Sequence, residues 1–153
     1  MIDIVEGAPA PDFDLETPDG RVKLADFAGK TVALYFYPKD DTAGCTKEAQ
    51  EFTALAQEFA KAGVRVVGVS KDSIAAHRKF ATKYDLAVTL GSDPEGQVVE
   101  RYGAWVEKSL YGRKYMGIDR STFLIKDSKL AKIWRKVRVP NHAQQVLEAA
   151  RSL

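Results

Sequence analysis

Cysteine is almost missing from this sequence: Cys45 is the single one in 153 residues. An intrachain disulfide is therefore impossible, and so is a Cys-x-x-Cys redox centre. Only two histidines, His77 and His142, accompany it, so a zinc site built on Cys and His is excluded in practice and no metal is expected. No apolar run approaches the roughly 20 residues of a membrane span. The start, Met1 to Glu6, has none of the basic-then-apolar layout of a signal peptide. No membrane partner is expected, and a lone thiol without an export signal points to a reducing, cytoplasmic setting. An excess of one charge is missing too. With 23 Lys and Arg against 21 Asp and Glu the formal net charge is +2, which argues against nucleic acid or an anionic membrane surface as partner. Repeats and low-complexity tracts are absent, and Gly and Pro are scattered as punctuation, so residues 1–153 read as one domain.

What is present is an ordinary globular balance, 45% hydrophobic and 29% charged. A chain of this length buries about two-thirds of its unfolded surface and needs no covalent staple. Asp12–Glu16 and Arg21–Leu24 flank Thr17-Pro18-Asp19-Gly20 and predict an N-terminal β-hairpin. Thr31–Tyr37 is apolar on both faces, a buried central strand that Pro38 ends. Thr46 to about Ala62 reads as a helix, with Ala49, Phe52, Ala56 and Phe59 on one stripe and Gly63 to end it. Arg65–Ser70 is a strand, Ile74–Tyr84 a helix, and Val88–Ser92 a short strand. Asp93-Pro94-Glu95 has the cap, proline and acid of a helix start. Trp105–Asp119 shows no clear period and reads as an irregular, functional segment. Strands follow at Ser121–Ile125 and Lys132–Val137, around a turn at Asp127-Ser128-Lys129. Pro140-Asn141 opens a last helix with Val146, Leu147, Ala150 and Leu153 inward. The order implies an α/β fold with a mixed central sheet flanked by helices on both faces. Among known architectures it resembles the thioredoxin-like fold.

The chemistry converges on Cys45. It follows a buried strand and the turn Pro38-Lys39-Asp40-Asp41-Thr42-Ala43-Gly44, at the opening of the first long helix. Ligand chemistry concentrates at such strand ends. A helix N-terminus offers unpaired N–H groups and about half a positive charge, both favouring a thiolate. The thiolate is the nucleophile. An inert, buried cysteine is the commoner state of the residue, but it needs no glycine before it, no hydroxyl three residues earlier and no proline-ended strand. His77, on an apolar helix face, reads as a core or boundary residue and His142 as solvated, so a Cys–His hydrolase has no base at a suitable spacing. Gly63 to Gly68 lacks the Lys-Ser/Thr ending of a phosphate loop.

The run Pro38-x-x-x-Thr42-x-x-Cys45 matches the active-site signature of peroxiredoxins. The longer string Tyr35-Phe-Tyr-Pro-Lys-Asp-Asp-Thr-Ala-Gly-Cys-Thr-Lys-Glu-Ala49 resembles their Q-type, or bacterioferritin comigratory protein, branch. Ala10-Pro-Asp-Phe13, Tyr111-Gly-Arg-Lys-Tyr-Met-Gly117 and Arg120-Ser-Thr-Phe-Leu-Ile125 extend the resemblance over essentially the whole chain. It implies a thiol-dependent peroxidase with Cys45 as peroxidatic residue, Thr42 bonding the peroxide, Pro38 shielding the sulfur and Arg120 supplying the cation. Thr42 also reads as a turn-stabilising hydroxyl and Pro38 as a strand terminator. Gly44 and Glu48 are candidate substrate-side residues. Glu48 could orient Arg120, or serve only as a first-turn acid. No cofactor is implied.

Many Q-type members carry a second cysteine five residues after the first, where this chain has Gln50, and others carry it on the next helix, near Phe80–Ala81. Five residues turn about 140° and rise about 7.5 Å along a helix, beyond what a disulfide spans without unwinding. The implied cycle has one cysteine, with an external thiol reductant (thioredoxin, glutaredoxin or glutathione), in a monomer or weak homodimer. A non-enzymatic redox sensor or binding module on the same fold is the alternative. Residues 108–138 hold ten Lys/Arg against two Asp/Glu. This is either a solvated face or a field that steers anionic peroxides or an acidic-faced reductant.

Overall fold

A computed structural model describes residues 4–153; Met1–Asp3, part of the start read for a signal peptide, lie outside the described residues. Thr17-Pro18-Asp19-Gly20 turns the chain as its composition predicts. Asp14–Thr17 (β1) pairs antiparallel with Gly20–Lys23 (β2), and the Thr17 hydroxyl closes the turn on the Gly20 carbonyl at 3.0 Å. Thr31–Phe36 (β3) is followed by Ala43–Ala54 (α1) and Ala56–Lys61 (α2). Val64–Ser70 (β4), Ile74–Tyr84 (α3) and Thr89–Ser92 (β5) come next. Gln97–Arg101 (α4), Trp105–Leu110 (β6) and Arg113–Ile118 (β7) lead to Ser121–Lys126 (β8), Lys129–Trp134 (β9) and His142–Arg151 (α5).

Seven strands form one mixed sheet in the order β2-β1-β5-β4-β3-β8-β9, with β3, β4 and β5 parallel. Because side chains alternate across a strand, β3 feeds two cores. Val32, Leu34 and Phe36 join Phe13, Val67, Val69, Val99, Tyr102 and Phe123 on one face. Ala33, Tyr35 and Tyr37 join Cys45, Phe52, Phe59, Phe80 and Val146 on the other. Helices α1, α2, α3 and α5 thus cover the second face and α4 the first. Among the described residues no helix is long and apolar enough to cross a membrane.

Several elements differ from expectation. The first long helix begins at Ala43 rather than Thr46, and it is interrupted at Leu55. The helix after β5 starts at Gln97, not at Pro94. Gly96, at φ 74°, is its cap, and the Asp93 carboxylate reaches over the turn to accept the Val99 N–H at 2.9 Å. Trp105–Asp119 is not irregular: β6 and β7 form a separate two-stranded hairpin. Tyr111 and Gly112, at φ 51° and 79°, make its two-residue turn. Most of its side chains are exposed, Tyr111 at 97%, so no buried alternation marks it in the sequence. The last strand is Lys129–Trp134, three residues earlier than Lys132–Val137, because Asp127 and Ser128 (φ 50° and 64°) turn the chain at once into pairing with β8. Leu153 is exposed rather than inward, while Val146, Leu147 and Ala150 are buried.

Candidate active site

Strand β3 delivers the chain to the edge of the second core. Pro38, which is exposed, ends it. Asp41 takes a left-handed conformation, φ 58°, and folds the chain back. Thr42 is extended (φ −100°, ψ 156°), and its carbonyl accepts the Thr46 N–H at 2.8 Å, so helix α1 starts immediately after it. Cys45 is therefore the third helical residue, among N–H groups that have no partner within the helix. It is 2% exposed. The Thr42 hydroxyl donates to the Lys39 carbonyl at 2.7 Å, which is the turn-stabilising arrangement.

Arg120 precedes β8, whose Ser121 is registered against Phe36 at the end of β3. That pairing carries the guanidinium across 75 residues of sequence to the sulfur: Nη2 lies 3.4 Å from Cys45 Sγ. Nη1 donates to Glu48 Oε1 at 2.7 Å. Glu48 is thus an ion-pair partner of Arg120. Gly44 leaves room for the approach, since a Cβ there would stand 3.2 Å from Nη2. The structure brings Cys45, Arg120, Glu48 and Gly44 together; Thr42 and Pro38 shape the turn that leads to them.

The Glu48–Arg120 pair is largely out of water, with side chains 2% and 17% exposed. Burial pushes the Glu48 carboxyl up to about 7, against the pull of Arg120. Burial opposes the charge on Arg120, but Glu48 and Cys45 outweigh it and raise the guanidinium further, so it stays a cation. A carboxyl raised on folding binds protons more tightly in the native state than in the unfolded one. Its contribution to stability is complete below its unfolded value, about 4.5, and is lost as pH rises through about 7. Glu48→Gln removes this dependence. The unfolding free energy of wild type minus that of the variant should fall by a few kcal/mol over that window, read from urea melts at a series of pH values. A flat difference would show that Glu48 is already ionised throughout.

Three features went unseen in the sequence. His77 is buried, as a core histidine should be, but it is bonded at both ring nitrogens: Nδ1 to Asp40 Oδ2 at 2.6 Å and Nε2 to the Gly91 carbonyl at 3.0 Å. Asp40 lies in the turn before Cys45, and only the pairing of β4 with β5 brings Gly91 and α3 to it. His142 is not solvated; it is buried, with Nε2 2.8 Å from Thr122 Oγ1 and its ring edge-on to Phe52 and Trp134. Burial, then the charge of Arg120, lowers it to about 4, so it is neutral at pH 7 and makes no counter-charge near the site. The Tyr35 hydroxyl is likewise buried and, among the described residues, has no hydrogen-bond partner. Burial first, then the charges of Glu48 and Cys45, hold it well above the usual tyrosine range.

A guanidinium against the sulfur, at the N-terminal turn of a helix, serves both partners of a displacement at that sulfur. It favours an anionic nucleophile, and it can stabilise charge on an oxygen leaving from it. Among the described residues no group of three or more His, Cys, Asp or Glu is arranged to hold a metal.

Comparison with known proteins points the same way. A family model described as the AhpC/TSA family matches residues 7–133. The chain is 44% identical to Peroxiredoxin Bcp of Bacillus subtilis, over 96% of this chain and 95% of the relative. It is 43% identical to Peroxiredoxin Bcp of Escherichia coli, over 92% of each. Among solved structures, the bacterioferritin comigratory protein of Xanthomonas campestris, studied for its alkyl peroxide reduction activity in trapped intermediate and ligand complexes, superposes with a TM-score of 0.86 at 39% identity. That match covers 92% of this chain and 90% of the other. The likeness bears out the thioredoxin-like fold expected from the order of elements.

Proposed function

We propose, from the premise that this chain belongs to the AhpC/TSA family and stands among its Bcp, or Q-type, peroxiredoxins, that it reduces hydrogen peroxide and organic hydroperoxides at Cys45 in a one-cysteine cycle. The observation that carries the reading is the 3.4 Å contact between Arg120 Nη2 and Cys45 Sγ at the start of a twelve-residue helix. The thiolate attacks one oxygen of the peroxide. An S–O bond forms, the O–O bond breaks, and the departing oxygen takes a proton to leave as water or an alcohol. Arg120 faces that departing charge, and its planar fork serves Glu48 and the sulfur at once. Cys45 is oxidised by two electrons to sulfenic acid. One external thiol condenses with it, releasing water and leaving a mixed disulfide. A second thiol displaces Cys45 and carries away the disulfide.

No other cysteine exists in the chain to resolve the sulfenic acid, which supports an external reductant such as thioredoxin, glutaredoxin or glutathione. It also supports a reducing, cytoplasmic setting in which such thiols are kept available. The basic stretch from Lys108 to Arg138 suits an acidic-faced reductant. Thr42 and Pro38 shape the approach to the sulfur from the turn side. A catalyst and a one-shot sensor differ in stoichiometry. With excess dithiothreitol the protein should consume many equivalents of peroxide per chain. Without it, it should consume one quickly, yielding a sulfenic acid that dimedone traps on Cys45, and a second only slowly as that sulfenic acid is oxidised to sulfinic acid. One equivalent in both conditions would leave the sensor reading standing.

A further inference from the structure

His77 is completely buried, and no step of the proposed cycle uses it. Its Nε2 faces a carbonyl, which only accepts, so that nitrogen carries a proton. Nδ1 meets Asp40 Oδ2 at 2.6 Å. The other Asp40 oxygen accepts the Tyr37 hydroxyl at 2.5 Å, and the Asp40 N–H donates to Asp72 Oδ2 at 2.9 Å. Asp72 is itself held by the Ser70 hydroxyl at 2.6 Å. The next residue, Asp41, bonds Lys83 Nζ at 2.8 Å and the Tyr84 hydroxyl at 2.6 Å. Two consecutive carboxylates, one buried and one exposed, thus fasten the turn between β3 and α1 to helix α3. That turn is the lead-in to Cys45.

A surface turn does not require a buried carboxylate–imidazole contact, and desolvating such a pair is costly. A fully satisfied buried polar network does one thing an apolar contact does poorly: it specifies a single geometry. Here the geometry specified is the path of the chain from Pro38 to Thr42. That path fixes where the first turn of α1 points its N–H groups and how Cys45 meets Arg120.

We propose that His77, acting through Asp40, is a positioning residue for the peroxidatic sulfur. It touches neither sulfur nor substrate; it holds the turn so that Cys45 and Arg120 stay in register. The proposal rests on the reading of Cys45 given above.

The test compares variants at a temperature where each is folded by circular dichroism, following sulfenic acid formation and its reduction by dithiothreitol as separate rates. Asp40→Ala strips His77 Nδ1 and the Tyr37 hydroxyl of their partner. His77→Phe breaks the tie from the α3 side. Asp40→Asn restores every hydrogen bond with a neutral histidine, its oxygen accepting from Tyr37 and its amide donating to Nδ1. The expected result is a loss of about tenfold or more in the peroxide rate for Asp40→Ala and His77→Phe, since small misplacements at a reacting centre are costly. Asp40→Asn should recover most of that rate, and the dithiothreitol step should be unchanged or faster in all three. If Asp40→Ala does not fold, the shape-preserving Tyr37→Phe decides, with an expected loss of about threefold. Wild-type peroxide rates in folded Asp40→Ala and His77→Phe, or in Tyr37→Phe, overturn the proposal. So does an Asp40→Asn as slow as Asp40→Ala. A wild-type chain that forms no sulfenic acid overturns the Cys45 reading beneath it instead.

Discussion

Cys45→Ser is expected to consume no peroxide above background with dithiothreitol as reductant, while keeping its fold and melting temperature close to wild type. The argument for total loss is chemical. Attack on an O–O bond needs a polarisable anion at neutral pH; a serine hydroxyl is hardly ionised there, and its oxygen is a poor nucleophile toward peroxide. No second thiol exists in the chain to take over. The argument for an intact fold is geometric. Serine is smaller than cysteine by a fraction of an ångström at one atom, and its hydroxyl can accept the same Arg120 Nη2–H that the sulfur accepts at 3.4 Å. Activity and stability should therefore separate cleanly, the first read by peroxide consumption and the second by a thermal melt. Residual turnover in the folded variant would mean that another group carries the chemistry, and the assignment of Cys45 would fail.

How much of this was legible beforehand depends on what kind of signal each element carries. The helix Ile74–Tyr84 has a serine before it, whose hydroxyl accepts the Ala76 N–H at 3.2 Å, and a clear apolar stripe. Local chemistry fixes both its ends. Strands β3 and β4 are runs of apolar and β-branched residues that suit only the middle of a sheet. The hairpin β6–β7 is harder to see, because among the described residues it pairs with no other strand and it buries little; only Tyr111-Gly112 betrays it, as a turn of the kind that favours glycine at positive φ. Strand β9 starts early because Asp127 and Ser128 turn the chain at once; its pairing with β8 also shifts at a bulge between Leu124 and Ile125, and nothing local announces a bulge.

The site divides along the same line. Cys45, Gly44 and Glu48 lie within one turn and a half of helix, where spacing alone suggests neighbours. Arg120 is legible because it precedes a strand that belongs beside β3. The Asp40–His77 pair is not legible, since it needs three strands, a helix and a turn to be in place before the two side chains meet. The sequence shows an acid in a turn and a histidine on an apolar face, both of which have plainer explanations. Tertiary packing makes the buried pair out of them. The same packing buries His142 against Thr122, at a helix start where exposure is the usual outcome.

Arg120→Ala should lower the second-order rate of Cys45 with peroxide by about 10² to 10³, the loss typical of removing one donor aimed at a developing oxyanion. Two effects compete to explain such a loss, and they predict different stabilities. If Arg120 mattered only as a structural partner of Glu48, its removal would strand a buried carboxylate, and activity would fall because the site comes apart. But the Glu48 carboxyl is already raised to about 7 with Arg120 present. Without the cation, both interactions that lower it are gone, and it takes up a proton rather than remaining a bare charge. The cost to stability should therefore be small at pH 6 and grow toward pH 8, while the kinetic loss persists at both. Arg120→Ala combined with Glu48→Gln sharpens the contrast: the pair no longer contributes to the pH dependence of stability in this window, and the peroxide rate stays low. Arg120→Lys should recover only part of the rate, because an ammonium restores the charge but not the fork that reaches Glu48 Oε1 at 2.7 Å and Cys45 Sγ at 3.4 Å together. Stopped-flow peroxide kinetics and urea melts on the same four proteins decide it. A double variant with wild-type peroxide kinetics would remove Arg120 from the chemistry and leave it a structural role alone.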